Sequence, residues 1–207
     1  MSAAPALAGW DNFYVILGSA AAGLTGLTFV VIALAADARM AGLSGLKTFV
    51  SPTVIHFSST LWISALCSVP RHTVVSLGVT TIASALLGVA YSLRTVARMA
   101  RMDRNDYEPV LEDWLWNGAL PLGAYALLGA GGVLLWFDAG TAGYPIAFAA
   151  LLLIFIGIHN VWDLAVWILA ERPSRRREME AAAQQRRSRR AGKPRAAAGA
   201  EHHGEHP

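Results

Sequence analysis

Charged residues are scarce in this chain of 207 residues. Asp, Glu, Lys and Arg make up 15% of it, whereas soluble domains carry about 25%. Apolar residues account for 55%, and the mean hydropathy is +0.43. Because so few charged side chains cannot cover a water-facing surface, the composition excludes a soluble enzyme and a disordered protein. It predicts an integral membrane protein.

Cysteine is almost absent, and so are the short motifs that identify common enzymes. The single Cys67 has no partner for an internal disulfide, which excludes a disulfide-stabilised scaffold. The chain contains no HExxH, GxSxG or P-loop motif, and no GxGxxG in a strand-to-helix context. The sequence therefore does not indicate an enzyme, and it identifies no cofactor.

Long apolar segments fill most of the first 170 residues. A helix that crosses the hydrocarbon core of a bilayer, roughly 30 Å thick, needs about 20 mostly apolar residues. Five segments reach that length, and they cover residues 13–35, 50–69, 74–93, 116–137 and 145–170. They are too long and too continuously apolar for the alternating strands of a β-barrel. The sequence predicts an all-α, polytopic bundle of five transmembrane helices over residues 1–170 and a basic, largely disordered tail over residues 171–207.

Basic residues are distributed unevenly between the segments that join these spans. Five spans with the N-terminus outside put sixteen of the 17 Lys and Arg residues on the cytoplasmic side and leave only Arg71 outside. The tail alone carries ten of them. Since cytoplasmic segments are enriched in Lys and Arg, this distribution predicts an outside N-terminus and a cytoplasmic C-terminus.

The kind of basic residue also indicates a location and a partner. Fifteen of the 17 are Arg, and Ala and Gly are abundant, which is typical of a GC-rich bacterial genome, so we expect a bacterial cytoplasmic membrane. Four arginines follow the last span directly, namely Arg172, Arg175, Arg176 and Arg177. They either attract anionic lipid headgroups or only hold the tail in the cytoplasm. The tail has no aromatic side chain to stack on bases, so we expect no nucleic-acid partner.

Small residues recur along the first span. Gly18, Ala22 and Gly26 are four residues apart and so share one face of a helix. Such a stripe lets two helices approach each other closely in a membrane. It predicts helix packing through the first span, either within the bundle or between copies of the chain in a homo-oligomer.

Polar residues form a longer stripe along the second span. Its members are Thr53, His56, Thr60, Ser64 and Cys67, spaced three or four residues apart on one side of the helix. One interpretation is the lining of a pore or groove. The alternative is hydrogen bonding that holds helices together, which is common for Ser and Thr in membrane helices.

The fifth span carries a second set of polar residues. His159 and Asp163 are four residues apart on one helical face, and Asn160 lies beside them. An Asp inside a span costs about 2.5–3.5 kcal/mol on insertion scales, so it should face the interior and be paired. Counted from the ends of the spans, His56 and Asp163 lie roughly 9 and 10 Å deep. If the second and fifth spans are neighbours, His56 therefore joins the other three residues in one site.

Three hypotheses explain such a site. In the first, it moves protons or a small cation, because ionisable residues inside membranes often mark ion pathways. In the second, the cluster pairs internally in a non-catalytic structural or regulatory subunit, which implies a membrane-protein partner. In the third, His56 and His159 hold a haem, or a metal ion with Asp163 as a further ligand. The sequence leaves the three open.

Overall fold

Every regular element of the described chain is a helix. The computed structural model describes residues 7, 9–37, 43–70, 72–101 and 110–191. No strand occurs in these ranges, which confirms the predicted all-α class.

Five helices follow one another along the chain. They are α1 (Asp11–Asp37), α2 (Leu43–Ser68), α3 (Val74–Ala100), α4 (Leu111–Leu134) and α5 (Ala139–Ala191). Among the described residues, α1, α3, α4 and the first part of α5, which ends at Val166, are long and apolar enough to cross a membrane. α2, which carries the polar stripe, is not among these four. Several such helices are what a multi-pass membrane protein requires.

The chain divides into two compact units, Met1–Ala165 and Val166–Pro207. In the second unit the described backbone is helical to Ala191, and Ala, Arg, Glu and Gln, which are frequent there, all favour helices. The side chains of the four tail arginines (Arg172, Arg175, Arg176 and Arg177) and all of residues 192–207 lie outside the described residues.

Of the four apolar helices, α5 has the most enclosed apolar stretch. In its most apolar stretch 56% of the residues are buried, against 22% in α1. α1 packs along α2, and α3 packs along α4. Thr60 of α2 donates a hydrogen bond of 3.1 Å to the carbonyl oxygen of Ala150 on α5, and Ile146 of α5 fills the space beside Gly131 on α4. α5 therefore connects the two helix pairs.

The small residues of α1 meet different surroundings. A Cβ atom at Gly18 would lie 3.0 Å from the Cβ of Ser64 on α2, so the absence of a side chain allows this close approach. Ala22 and Gly26 are exposed, and a Cβ at Gly26 would meet no atom within 4 Å. Within the described bundle, the predicted stripe thus packs at Gly18 and leaves Ala22 and Gly26 on the surface.

α5 begins at Ala139, six residues before the predicted span, because Asp138 caps it. Oδ1 of Asp138 accepts hydrogen bonds from the backbone N–H groups of Gly140 and Thr141, at 3.1 and 3.2 Å. Its Oδ2 accepts one from the Thr141 hydroxyl at 2.6 Å. These bonds satisfy N–H groups that the first turn leaves free. They also hold the pKa of the Asp138 carboxyl below its usual value, with the Thr141 hydroxyl as the main cause.

This cap predicts a pH dependence. Because the pKa of Asp138 is lower in the folded chain than in the unfolded one, the carboxylate stabilises the fold above the ordinary pKa of 3.8. That contribution is lost as the pH falls through the lowered value. We expect Thr141→Val to return the pKa towards 3.8, and a carbon-13 NMR titration of the Asp138 carboxyl measures it. Thr25→Val on α1 is the control and should leave the pKa of Asp138 unchanged. If Thr141→Val also leaves that pKa unchanged, the result would contradict the cap.

Candidate ion site

The predicted ion-site residues divide between two places in the structure. His56 lies in the interior between α2 and α4. His159 and Asp163 pair with each other near one end of α5's apolar stretch. Asn160 is buried on the same turn of α5 as His159. The polar site that the sequence predicts as one cluster is thus two groups at different depths.

His56, Ser59 and Tyr125, the His56 group, connect α2 to α4. The Tyr125 hydroxyl lies 3.2 Å from Nδ1 of His56 and 2.9 Å from Oγ of Ser59. Both His56 and Tyr125 are 1% exposed. The phenol donates to one partner and accepts from the other, in an order set by the tautomer of the imidazole. The group is a short hydrogen-bonded chain inside the bundle.

The His56 group lies deep in the bundle. Tyr125 is about 13 Å of helical rise from the end of α4 at Leu134 and about 21 Å from its start at Leu111. His56 is about 20 Å of helical rise from the start of α2 at Leu43. The sequence predicts roughly 9 Å because it counts from residue 50, and α2 begins seven residues earlier. These side chains therefore lie near the middle of α2 and α4.

A glycine on α3 makes room for the Tyr125 ring. A Cβ atom at Gly88 would lie 2.1 Å from Cδ1 of Tyr125, far inside van der Waals contact. Beside the ring, a cavity of about 310 Å³ opens between α2 and α3. The hydroxyl-bearing residues that line it are Ser58, Ser59, Ser84, Tyr91 and Tyr125. Two members of the His56 group therefore face this cavity.

The polar stripe of α2 faces the interior of the bundle. Thr53, His56, Thr60 and Ser64 are buried, and Cys67 is partly buried. The Thr60 hydroxyl reaches the carbonyl oxygens of Ala150 and His56, at 3.1 and 3.2 Å. α2 and α5 are thus neighbours, which the prediction of a single site assumed. Thr60 uses its hydroxyl to join two helices, one of the two predicted roles of the stripe.

Glu112, His159 and Asp163, the His159 group, lie together near one end of the bundle. Nε2 of His159 is 3.0 Å from Oδ2 of Asp163 and 3.7 Å from Oε1 of Glu112. The ring of Trp116 stacks on the imidazole, with the ring centres 3.7 Å apart and the planes at 18°. The indole thereby fixes the plane of the imidazole beside the two carboxylates.

The side chains of the His159 group are partly exposed on the surface of the bundle. The side chains of Glu112 and Asp163 are 66% and 56% exposed, and that of His159 is 22% exposed. Apolar residues continue in the sequence to Ala170, so Asp163 is about 10 Å of helical rise from the end of the apolar run, as the sequence predicts. A carboxylate in the outer part of a span costs less to insert than one at the centre.

A wide helical turn in α4 presents two further side chains at this end. The turn is π-helical, spans Leu115–Ala119 and includes Trp116 and Asn117. Oδ1 of the buried Asn117 accepts a long hydrogen bond of 3.4 Å from Nδ2 of Asn160. Single π-helical turns are frequent at functional sites. Here both side chains contact α5: Trp116 stacks on His159, and Asn117 is hydrogen-bonded to Asn160.

Several of these contact residues are missing from the prediction. Glu112 falls in the segment predicted as a loop between the third and fourth spans. Trp116 and Tyr125 are aromatic residues of an apolar span, and the sequence does not say which helix they face. Asn117 is a polar residue inside that predicted span and was a usable signal, because a buried amide needs a partner.

The contacts of the two imidazoles bear on the cofactor hypothesis. Nδ1 of His56 faces Tyr125, whereas Nε2 of His159 lies beside Asp163 and Glu112. The two rings thus belong to different groups, and these contacts give no support to a haem held by both. Among the described residues, the donor atoms of the His159 group lie close enough together to bind one metal ion.

Comparison with known proteins adds no family to this geometry. No protein-family model, curated protein or solved structure matches the chain. The residues described above are therefore the basis of the functional conclusion.

The close approach of Gly88 to Tyr125 predicts a stability effect. Gly88→Ala puts a methyl group where the ring lies, so we expect a loss of about 1–3 kcal/mol. Gly123→Ala on α4 is the matched control, since a Cβ there meets no atom within 4 Å; it should change stability by no more than about 1 kcal/mol, in the stabilising direction. Thermal unfolding in detergent measures both, and equal midpoints for the two variants would contradict the packing.

Proposed function

We propose that this is a small membrane protein that moves protons or a small cation through its helical bundle. The observation that carries the proposal is the burial of His56, which is 1% exposed near the middle of the bundle. An ionisable side chain at such a depth is costly, and ionisable residues inside membranes commonly mark ion or proton pathways.

The hydrogen bonds of His56 suit the transfer of a proton. Its Nδ1 contacts the Tyr125 hydroxyl, which in turn contacts Ser59. An imidazole takes up a proton on one nitrogen and releases one from the other, and a hydroxyl accepts one hydrogen bond while it donates another. A proton that reaches His56 can therefore pass along the group by exchange of donor and acceptor roles.

The His159 group provides the mouth of the proposed pathway. Its carboxylates are exposed at one end of the bundle, where negative charge attracts cations from water. Asn117 and Asn160 are buried next to it between α4 and α5. The buried stripe of α2 continues from His56 through Thr60 and Ser64 towards the opposite end. Polar side chains thus occur at the proposed mouth of the pathway, in the middle of the bundle and between the middle and the opposite end.

We also infer five spans, with the N-terminus outside and the C-terminus in the bacterial cytoplasm. α2 is 26 residues long, which is about 39 Å of rise and more than the hydrocarbon core requires. Its polar face lies against α1 and α5, so its polarity is compatible with a spanning position. Five crossings put the two termini on opposite sides, and the distribution of Lys and Arg then sets the direction.

The orientation can be measured with a reporter and a label. We expect green fluorescent protein fused to the C-terminus to fluoresce, because it folds in the cytoplasm. In a Cys67→Ser background, Ser2→Cys should react with a membrane-impermeant maleimide added outside intact cells, because five spans put the N-terminus there. The parent Cys67→Ser chain is the control for background labelling. A fluorescent C-terminus together with an unlabelled Ser2→Cys would contradict an odd number of spans.

The proposed activity predicts a proton or cation flux in liposomes. We expect internal pH to follow an imposed gradient, and His56→Ala and Asp163→Asn to lower the rate at least about tenfold, because each removes an ionisable group from the pathway. Tyr125→Phe should also lower it, while Tyr144→Phe, at an exposed tyrosine, should not. Folded protein without flux above empty liposomes, for protons and several cations, would contradict the proposal.

A second candidate is a non-catalytic structural or regulatory subunit of a membrane complex. The exposed small residues of α1 favour it, because Ala22 and Gly26 form a surface on which another helix can pack closely. The partner is either a second copy of this chain or another membrane protein. In this case the His56 group serves only to hold α2 and α4 together, and folded protein shows no flux.

A further inference from the structure

We propose that the His159 group binds a divalent transition-metal ion, with Zn²⁺ as the best fit to its donor atoms. Glu112, His159 and Asp163 each offer one ligand atom, and these atoms lie within 4.8 Å of one another. The residues come from two helices, so an ion held by all three would join α4 to α5. The proposal goes beyond the proposed function, since it concerns binding and does not require that the ion cross the membrane.

The distances between the donor atoms suit a single ion. Zn²⁺ binds imidazole nitrogen and carboxylate oxygen at about 2.0–2.2 Å in a tetrahedral arrangement, which places neighbouring ligand atoms roughly 3.4 Å apart. Nε2 of His159 lies 3.0 Å from the Asp163 oxygen and 3.7 Å from the Glu112 oxygen. Shifts of roughly half an ångström bring both pairs to the expected spacing. The two carboxylate oxygens lie within 4.8 Å of each other, and rotation of the exposed Glu112 side chain can bring them closer.

The Nε2 atom of His159 is not accounted for by a hydrogen bond. It is buried and has no hydrogen-bond partner among the described residues, although Oδ2 of Asp163 is only 3.0 Å away. Since the distance is within hydrogen-bond range, it is the direction of the ring nitrogen that does not fit. A nitrogen whose lone pair meets a cation needs no alignment with the carboxylate. The arrangement thus favours a shared ion over a simple His–Asp pair.

The surroundings of His159 hold the ring in place. Metal-ligating histidines normally donate their other ring N–H to a neighbouring oxygen, and fixing the ring in this way supports the affinity of the site. Here the indole of Trp116 stacks on the imidazole at 3.7 Å. Trp116 belongs to the π-helical turn of α4, and Glu112 lies in the first turn of the same helix. One helix therefore supplies both a ligand and the group that orients another ligand.

The donor atoms select the class of ion. Imidazole nitrogen favours Zn²⁺ and other transition metals, whereas Ca²⁺ and Mg²⁺ are bound by oxygen ligands. Three protein ligands leave one coordination position of a tetrahedral ion for water. The exposure of both carboxylates lets a hydrated ion reach the group from the aqueous end of the bundle.

Metal titration of the full-length chain tests the proposal. His202, His203 and His206 are first replaced by alanine, because imidazoles near the C-terminus take up metal ions on their own. We expect this chelator-treated background protein, in detergent, to bind one Co²⁺ with the visible absorption of a nitrogen–oxygen site, and Zn²⁺ to displace it. Loss of a supporting residue costs a metal site about 10–100-fold in affinity, so we expect His159→Ala to cost at least about 100-fold.

Two controls keep the result interpretable. His72→Ala removes an imidazole that lies outside the His159 group, and it should leave the affinity unchanged. Glu112→Gln alters an exposed side chain that has little effect on folding, and it should weaken binding at least about tenfold; thermal unfolding without metal checks that each variant is folded. Equal affinity of the background, His159→Ala and His72→Ala proteins, or no ion bound by folded background protein, would overturn the proposal. Binding is measured without a gradient, so an absence of flux leaves this result unaffected.

Discussion

A polar side chain buried in a bilayer has to find its hydrogen-bond partner inside the protein, and the Tyr125 hydroxyl meets this requirement for the middle of the bundle. It extends from α4 to His56 and Ser59 on α2, while its ring occupies the space that Gly88 leaves on α3. One side chain thus sets the relative positions of three helices. The cost of burying His56 is offset only in this arrangement, because a lone imidazole in hydrocarbon would remain unsatisfied.

The same requirement explains how charge and polarity vary along the bundle. The carboxylates of Glu112 and Asp163 are exposed on the surface towards one end of the bundle. The buried amides of Asn117 and Asn160, which carry no charge, pair between α4 and α5. At the middle the polar groups are hydroxyls and the imidazole of His56. Groups that are expensive to dehydrate are therefore near water, and groups that can be satisfied by one neighbour are inside.

Local properties of the chain were predictable because they depend on neighbouring residues in the sequence. The apolar runs predict helices that the structure contains, and the spacing of Thr53, Thr60 and Ser64 predicts that they share one face of α2, which is buried. The ends of the helices were less predictable. Asp138 starts α5 six residues earlier than the apolar run suggests, because a cap is a hydrogen-bonding arrangement and hydropathy does not describe it.

By itself, the sequence determined the helical class, the apolar segments and the helical faces on which polar residues occur, since a period of 3.6 residues is a local property. Only the tertiary structure decided which faces meet. His56 and Tyr125 are 69 residues apart in the chain, and Glu112 joins His159 from a segment that hydropathy assigns to a loop. Such pairs depend on how closely helices approach at small residues and on a π-helical turn that changes the facing of Trp116. These effects arise from contacts between helices, and the spacing of residues within one helix does not predict such contacts.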